Sequence, residues 1–168
     1  KIIYGVTTGF GALSDKIIPK KDVEQLQRNL LLSHSAGVGE PLDKETVRAL
    51  MLLRANTLAK GYSGVSQDIL QLLVKMLNER IHPLIPGKGS VGASGDLAPL
   101  SHIGLALIGE GKVEFKGRIV RCADALRSID MSPLKLRPKE GLALINVSQL
   151  ITAIGALTVY DSEHLLKA

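Results

Sequence analysis

Residues 141 to 160 form a run of twenty residues without a formal charge, and this run restricts the possible folds more than any other feature. About twenty apolar residues are enough to span a bilayer, so a transmembrane helix has to be considered. Two glycines, several amide and hydroxyl side chains and the lack of an aromatic belt argue against it. A helix that is apolar on most faces also suits the middle of a helical bundle. We therefore predict a buried bundle helix and no membrane association.

The composition favours helices over sheets. Aromatic residues make up 3% of the 168 residues and Trp is absent, whereas hydrophobic residues make up 45%. Aliphatic side chains must therefore fill the core, and they suit helix packing better than a β-sandwich. Start signals at Asp22, Asp43, Ser66 and Asp96 predict four helices, and a short helix is expected near residues 124–128.

The fold class we predict is mainly α with a small β-hairpin. The hairpin is expected where apolar residues of strand type flank the turn at residues 116–118. We expect one incomplete domain, with residues 1–140 as an N-terminal region and residues 141–168 as the start of the long bundle helix. Because the chain opens without an initiator Met and ends inside an apolar periodic stretch, we expect it to be part of a larger protein.

Charge and cysteine content exclude several classes of function. Lys and Arg exceed Asp and Glu by 5, but the excess is scattered and few aromatic residues are available to stack bases, so nucleic acid is not an expected partner. The single cysteine, Cys122, rules out an internal disulfide framework and indicates a reducing, cytoplasmic location. No His, Cys or Asp cluster has the spacing of a metal site, so none is expected.

The segment from Gly89 to Asp96, GSVGASGD, is the most unusual in the chain. A nucleotide phosphate loop needs Lys followed by Ser or Thr, and Lys88 is followed by glycine. Dinucleotide-binding glycines are spaced two and then three apart, whereas these are spaced three and three. A nucleophile elbow needs a second glycine where Asp96 stands, and it needs a preceding strand. A helix-capping role for Ser94 remains open, although a cap needs neither Ala93 nor so many glycines.

The backbone of Ala93-Ser94-Gly95 offers another chemistry. The amide nitrogen of Gly95 has no side chain to shield it, and glycine adopts strained dihedral angles. If the fold compresses this turn, that nitrogen attacks the carbonyl carbon of Ala93 and closes a five-membered ring. Loss of water from the ring and of the Ser94 hydroxyl as water leaves a conjugated methylene, an electrophile that no ordinary side chain supplies. A helix starting at Asp96 directs its positive end at this group.

Four blocks of the sequence resemble the aromatic amino acid ammonia-lyases, the family of histidine, phenylalanine and tyrosine ammonia-lyases and the related aminomutases. The segment GSVGASGDLAPL at residues 89–100 is similar to the family signature. The other blocks are YGVTTGFG at residues 4–11, QRNLLLSH with GVGE at residues 27–40, and KEGLALIN at residues 139–146. Their order matches the family over nearly the whole chain, which corresponds to the N-terminal portion of such an enzyme.

The resemblance implies a methylidene-imidazolone (MIO) cofactor made autocatalytically from Ala93, Ser94 and Gly95, with no metal or nucleotide. It implies that Ser94 becomes the electrophilic methylene and that Tyr4 is the base that takes the β-proton of the substrate. Asn146 is expected to hydrogen-bond the substrate or the MIO group, and Asp96 and Gly11 are expected to support the site. The family also assembles as homotetramers.

His34 indicates the substrate. The Ser-His pair at residues 33–34 resembles histidine ammonia-lyases, whereas phenylalanine lyases usually carry Phe-Leu and tyrosine lyases His-Leu. An imidazole suits a polar imidazole substrate, because leaving such a ring unpaired in a buried site is costly. We therefore expect a carbon–nitrogen lyase that eliminates ammonia from L-histidine to give urocanate. Spacing alone favours a helix-end histidine bound to the last carbonyls, and the surrounding sequence block favours the role in substrate binding.

Other interpretations stay open at this point. The chain could serve another aromatic amino acid or an aminomutase reaction, or it could be an inactive helical fragment or assembly module. A serine hydrolase is a weaker third alternative. Asn146 could be a core amide, and His82, His102 and His164 are expected to be structural. Val147 stands where the family usually has glycine, and we expect it to crowd the backbone of Asn146 if that glycine serves close packing.

Overall fold

The computed structural model describes residues 2–92 and 95–167, and these residues are mainly helical. The helices in chain order are α1 (Val23–His34), α2 (Lys44–Ala59), α3 (Gln67–Asn78), α4 (Leu97–Leu107), α5 (Cys122–Arg127), α6 (Glu140–Ile145) and α7 (Gln149–Lys167). The strands are β1 (Val38–Pro41), β2 (His82–Pro83), β3 (Pro86–Lys88), β4 (Lys112–Phe115) and β5 (Arg118–Arg121). The predicted mainly α fold with a small hairpin is confirmed.

A side-chain cap explains where α2 begins. Asp22, Ser66 and Asp96 make no side-chain cap hydrogen bond to the helices that follow them. Asp43 is the N-cap of α2, where its carboxylate accepts hydrogen bonds from the Thr46 backbone N–H and hydroxyl, both at 2.8 Å. The backbone hydrogen bond and then the hydroxyl lower the pKa of Asp43. Ser66 precedes α3 with an extended backbone, as expected of an N-cap residue.

Two glycines allow α4 and α6 to pack closely against α1. A Cβ on Gly104 of α4 would lie 2.6 Å from Leu31 Cδ2, and a Cβ on Gly141 of α6 would lie 2.9 Å from Gln27 Oε1. The Gly141 N–H donates to that same Gln27 oxygen at 2.9 Å. The three helices therefore form a tight group, and a side chain at either glycine would push them apart.

Two small antiparallel sheets flank the helices. Strands β4 and β5 form the predicted hairpin with Val113 opposite Val120, and β2 adds a third strand with His82 opposite Glu114. The second sheet pairs β1 with β3, which the sequence did not predict. Both of its strands contain Gly and Pro, and neither shows an alternating apolar pattern that would have indicated a strand.

The predicted bundle helix is interrupted. Residues 146–148 separate α6 from α7, so one continuous helix over residues 141–160 is not what forms. Buried Asp96 causes this break, because its carboxylate binds the first backbone N–H groups of α7 and its own N–H donates to Val147 O at 2.6 Å. The division of the chain at residue 140 into two regions stays a prediction.

Helix α7 leaves most of its apolar residues exposed, so the predicted burial of this helix is not observed among the residues that the structure describes. Its buried residues are Leu150 and Ala153. Its exposed large apolar residues are Ile151, Ile154, Val159, Tyr160, Leu165 and Leu166. By length and composition alone, the stretch Glu140–Lys167 would suffice to cross a membrane, with a mean hydropathy of 1.8. Core helices of soluble bundles meet the same criterion, so this is weak evidence for a membrane span.

The buried ring of His82 makes the stability of the fold depend on pH. His82 Nε2 lies 3.1 Å from Arg48 Nη1, and because a guanidinium only donates, Nε2 must be the accepting nitrogen. Burial, and after it the charge of Arg48, lower the pKa of His82. The folded chain therefore binds fewer protons here than the unfolded chain, whose histidine pKa is about 6.5. The free energy of unfolding should fall as the pH drops below that value.

Urea denaturation at pH 7.5 and pH 5.5 tests this expectation. His82→Gln keeps an acceptor for Arg48 and should reduce the loss of stability between the two pH values. Part of the loss should remain, because burial also lowers the pKa of His102. His164→Gln is the matched control, since His164 is exposed. An unchanged pH dependence in His82→Gln would contradict the assignment.

Candidate active site

A cleft of ≈ 590 Å³ opens between the N-terminal segment and helices α1, α4 and α6. Four of the residues selected from the sequence line it, namely Tyr4, Gly11, His34 and Asn146. They come from positions up to 142 residues apart in the chain, so only the fold brings them together. The remaining walls are mostly apolar, formed by Phe10, Leu13, Leu26, Leu30, Leu97 and Leu142. An apolar cleft with a few polar groups is the usual form of a small-molecule site.

Tyr4 is held by the turn that contains it. The Gly11 N–H donates to Tyr4 Oη at 3.2 Å, and the Tyr4 ring meets Phe10 edge to face with centroids 6.2 Å apart. Gly11 has a φ of +53°, and a Cβ there would meet nothing within 4 Å. The glycine is therefore favoured by its left-handed backbone rather than by space. Half of the Tyr4 surface is exposed, so its phenol can reach a molecule in the cleft.

His34 is the last residue of α1, and its ring has a defined tautomer. Its Nδ1 lies 2.9 Å from Leu30 O, and because a carbonyl only accepts, Nδ1 carries the proton. A neutral ring then presents Nε2 as its accepting nitrogen. The contact with Leu30 O is the helix-end arrangement considered as the structural alternative for His34. That arrangement and a place in the cleft wall coexist, because they use different sides of the ring.

Asn146 lies at the break between α6 and α7 and is exposed, which excludes the core-amide interpretation within this chain. Its Oδ1 would lie 3.3 Å from a Cβ on Gly95, and Leu97 Cδ1 would lie 2.7 Å from that same Cβ. Gly95 has a φ of +144°, so a larger residue would meet both backbone strain and steric contact. The C-terminal member of the predicted cofactor triad is thus adjacent to Asn146. Ala93 and Ser94 lie outside the described residues.

Asp96 is completely buried and joins three segments. One carboxylate oxygen accepts from the backbone N–H groups of Leu150 at 2.8 Å and Ile151 at 3.3 Å. The other accepts a short hydrogen bond from the Ser90 hydroxyl. A negative charge at the first turn of α7 is favoured by the exposed N–H groups and by the helix dipole. Asp96 therefore fixes the glycine-rich loop to the start of α7.

Val147 lies in the break, and its expected crowding of the Asn146 backbone stays a prediction. Its contacts to the site are made by its backbone, with its N–H donating to Ile145 O at 3.0 Å and its carbonyl accepting from Asp96. The side chain is half-buried and packs against the hydrophobic core. The structure thus places the backbone of Val147 at the break and its side chain against the core.

Arg54 is a site residue that the sequence analysis missed. It is completely buried in α2, and it donates to Ala143 O at the end of α6 and to Gln149 Oε1 at the start of α7. Burial lowers its pKa to about 10. A signal was available, because Val47, Leu50 and Leu58 predict an apolar face on which position 54 also falls. A charged residue on such a face indicates a buried polar contact.

Glu140 was also missed, and it fixes the first turn of α6. Its two carboxylate oxygens accept from the Ser66 N–H at 2.7 Å and the Arg137 N–H at 2.6 Å. Ser66 and Arg137 both lie outside the helices, so neither N–H group has a hydrogen-bond partner within a helix. For the residues that the structure describes, no group of three or more His, Cys, Asp or Glu side chains is arranged to hold a metal ion.

Replacing Asp96 should destabilise the protein more than replacing a surface cap. Asp96→Ala leaves the Leu150 and Ile151 N–H groups and the Ser90 hydroxyl without their acceptor, at a cost of about 2–3 kcal/mol. Asp43→Ala removes an exposed N-cap of α2 and should cost about 1 kcal/mol. Urea denaturation of both variants measures the difference, and an equal or smaller loss in Asp96→Ala would contradict a central role for this carboxylate.

Comparison with known proteins identifies the family. The family model described as aromatic amino acid lyase matches residues 1–168. A curated histidine ammonia-lyase from Alkaliphilus oremlandii is 56% identical over 167 residues, which cover 99% of this chain and 33% of that protein. The chain thus spans about a third of the length of the curated relatives it matches.

Solved structures share the fold of this chain. Ergothionase from Treponema denticola matches with a TM-score of 0.93 and 39% identity, covering 98% of this chain and 33% of that one. The phenylalanine aminomutase of Pantoea agglomerans matches with a TM-score of 0.93 and 37% identity, covering 99% of this chain and 32% of that one. With the family model matching the chain from end to end, this protein is a member of the aromatic amino acid lyase family.

Proposed function

We propose that the protein to which these residues belong is a carbon–nitrogen lyase that eliminates ammonia from L-histidine to give urocanate. The observation that carries the proposal is the convergence of Tyr4, His34 and Asn146 on one apolar cleft, with Gly95 adjacent to Asn146. The identity of 56% to a histidine ammonia-lyase supports the choice of substrate. An amino acid with a polar ring fits a cleft whose walls are apolar and whose ends carry hydrogen-bonding groups.

We propose MIO, formed from Ala93, Ser94 and Gly95, as the cofactor of this reaction. The described part of the triad fits, since Gly95 has a φ of +144° and a Cβ there would collide with Leu97. Such a site selects glycine, whose unshielded nitrogen the ring closure requires. When formed, MIO supplies an electrophilic methylene that makes the amino group of the substrate a better leaving group. Fixation of the loop by Asp96 would supply the conformational constraint that cyclisation needs.

The chain's own residues then have separate tasks. Tyr4, half exposed at the cleft, takes the β-proton of the substrate as the C–N bond breaks and ammonia leaves. His34, with its proton fixed on Nδ1, offers Nε2 as an acceptor for the N–H of a substrate imidazole. The Asn146 carboxamide provides both a donor and an acceptor beside Gly95. The carbon skeleton thereby gains a double bond, and one ammonia is released for each urocanate formed.

A cytoplasmic location and a homotetrameric assembly are part of the proposal. The single buried Cys122 is compatible with a reducing compartment. The exposed apolar residues of α7 need a covering surface, which a bundle with other helices of the assembly would provide. Another aromatic amino acid, or an aminomutase reaction, is the alternative, because the phenylalanine aminomutase shares the fold as closely as ergothionase does.

Ser94→Ala tests the cofactor. The variant lacks the hydroxyl that leaves as water, so lyase turnover should be abolished. The intact mass of the wild-type protein should be lower by two waters, with the loss mapping to residues 93–95, and the variant should not show this loss. Ser132→Ala, at an exposed serine outside the glycine-rich loop, is the matched control and should retain the modification. Unchanged turnover in Ser94→Ala would exclude the MIO mechanism.

His34→Leu tests the choice of substrate. Removal of the acceptor leaves the substrate imidazole unpaired, which should lower kcat/KM for histidine about 10- to 100-fold. Activity toward phenylalanine should fall less or rise, since its ring needs no acceptor. His164→Leu is the matched control, because His164 is an exposed histidine that does not line the cleft. Equal losses for histidine and phenylalanine would contradict a specificity role for His34.

A further inference from the structure

We propose that Arg54 is a positioning residue that sets the orientation of the helix break carrying Asn146. The inference rests on the proposed function, because it assigns Arg54 to the same site. It goes beyond that function by placing the control of the Asn146 carboxamide on α2, a helix that contributes no residue to the cleft wall.

Arg54 contacts both sides of the break. The last carbonyls of α6 lack helical partners, and Arg54 donates to one of them, Ala143 O. Its other terminal nitrogen lies 3.4 Å from Gln149 Oε1, on the first residue of α7. The Asn146 N–H donates to Leu142 O at 3.0 Å, so Asn146 follows directly from the turn that Arg54 holds. A shift of the guanidinium would therefore shift the backbone of Asn146.

A second residue of α2, Thr57, contacts the same Gln149 side chain. The Gln149 Nε2 donates to Thr57 Oγ1 at 3.2 Å, and the Thr57 hydroxyl donates to Leu53 O at 2.9 Å. Arg54 and Thr57 thus bind the oxygen and the nitrogen of one amide, which fixes its orientation. Helix α2 holds the break from one side, while Asp96 holds it from the opposite end of the loop.

Burial of the Arg54 guanidinium is energetically unfavourable if the side chain serves only the stability of the fold. Among the ion pairs of the described residues none includes Arg54, and its buried Nε has no hydrogen-bond partner there. A buried charge without an opposite charge is unfavourable, and an apolar side chain of similar size would often be more stable. What a guanidinium provides here is a planar set of donors in a rigid geometry, which can hold two acceptors on different helices at once.

Arg54→Lys is the informative substitution in the full chain. Lysine retains the charge but offers one compact ammonium, which cannot reach both Ala143 O and Gln149 Oε1 in the same geometry. If Arg54 orients Asn146, kcat for histidine should fall about 10-fold while KM changes less, because misplacement of a group near the reacting atoms mainly affects the transition state. Arg48→Lys is the matched control, since Arg48 lies on the same helix and instead contacts Leu77 O and His82.

A double-substitution cycle with Asn146→Ala separates positioning from general loss of stability. Arg54→Lys should lower kcat in the wild-type background and have little further effect once Asn146 is alanine. An equal loss in both backgrounds, or an unchanged kcat per folded molecule, would overturn the proposal.

Hydrogen exchange provides a readout that does not depend on the reaction. The Val147 and Leu150 amides, bound to Ile145 O and Asp96, should exchange faster in Arg54→Lys and not in Arg48→Lys. Unchanged exchange at these amides would contradict the assignment of Arg54 even if the protein turned over histidine. Faster exchange with no histidine turnover in the wild-type protein would support Arg54 and reject the proposed substrate.

Discussion

The buried carboxylate of Asp96 is the interaction on which the arrangement of the site depends. It lies between α4 and α7 and binds the first N–H groups of one helix and the Ser90 hydroxyl of the loop before the other. Because a buried carboxylate is tolerated only when its oxygens are paired, the loop and α7 must keep their relative positions for the fold to be stable. The geometry of the glycine-rich loop is thus tied to the stability of the helical core.

Close packing of α1, α4 and α6 is the second feature that shapes the cleft. Gly104 and Gly141 let α4 and α6 approach α1, and this approach brings the end of α1, with His34, to the same cleft as Asn146. Two polar residues of the cleft, His34 and Asn146, stand at helix ends, where backbone groups lack helical partners. The three packed helices make the cleft wall rigid, and the ends of α1 and α6 carry the hydrogen-bonding side chains of His34 and Asn146. A small displacement of any of the three helices would change the cleft.

The sequence was sufficient for the features that depend on local patterns. Caps such as Asp43 and the hairpin around Lys116 could be predicted because a few neighbouring residues determine them. The break after Asn146 could not, since it is caused by Asp96, fifty residues earlier in the chain. The contacts of Arg54 could not be predicted for the same reason, although the sequence pattern places Arg54 on an apolar helix face. The residues of the cleft were found through their resemblance to a family, and their roles stay predictions.

The break between α6 and α7 explains why an otherwise apolar segment carries Asn146. In a continuous helix over residues 141–160, Ala143 O would pair within the helix and would no longer accept from Arg54. The Leu150 and Ile151 N–H groups would likewise pair within the helix and would no longer donate to the Asp96 carboxylate. Both buried charged groups would lose these partners. The break therefore supplies hydrogen-bond partners to the Arg54 guanidinium and the Asp96 carboxylate, and these two groups hold the break in place. Under the proposed function, this mutual dependence serves catalysis, because it holds one exposed carboxamide beside Gly95. Specificity can then vary at the end of α1, where His34 stands, while the break remains unchanged.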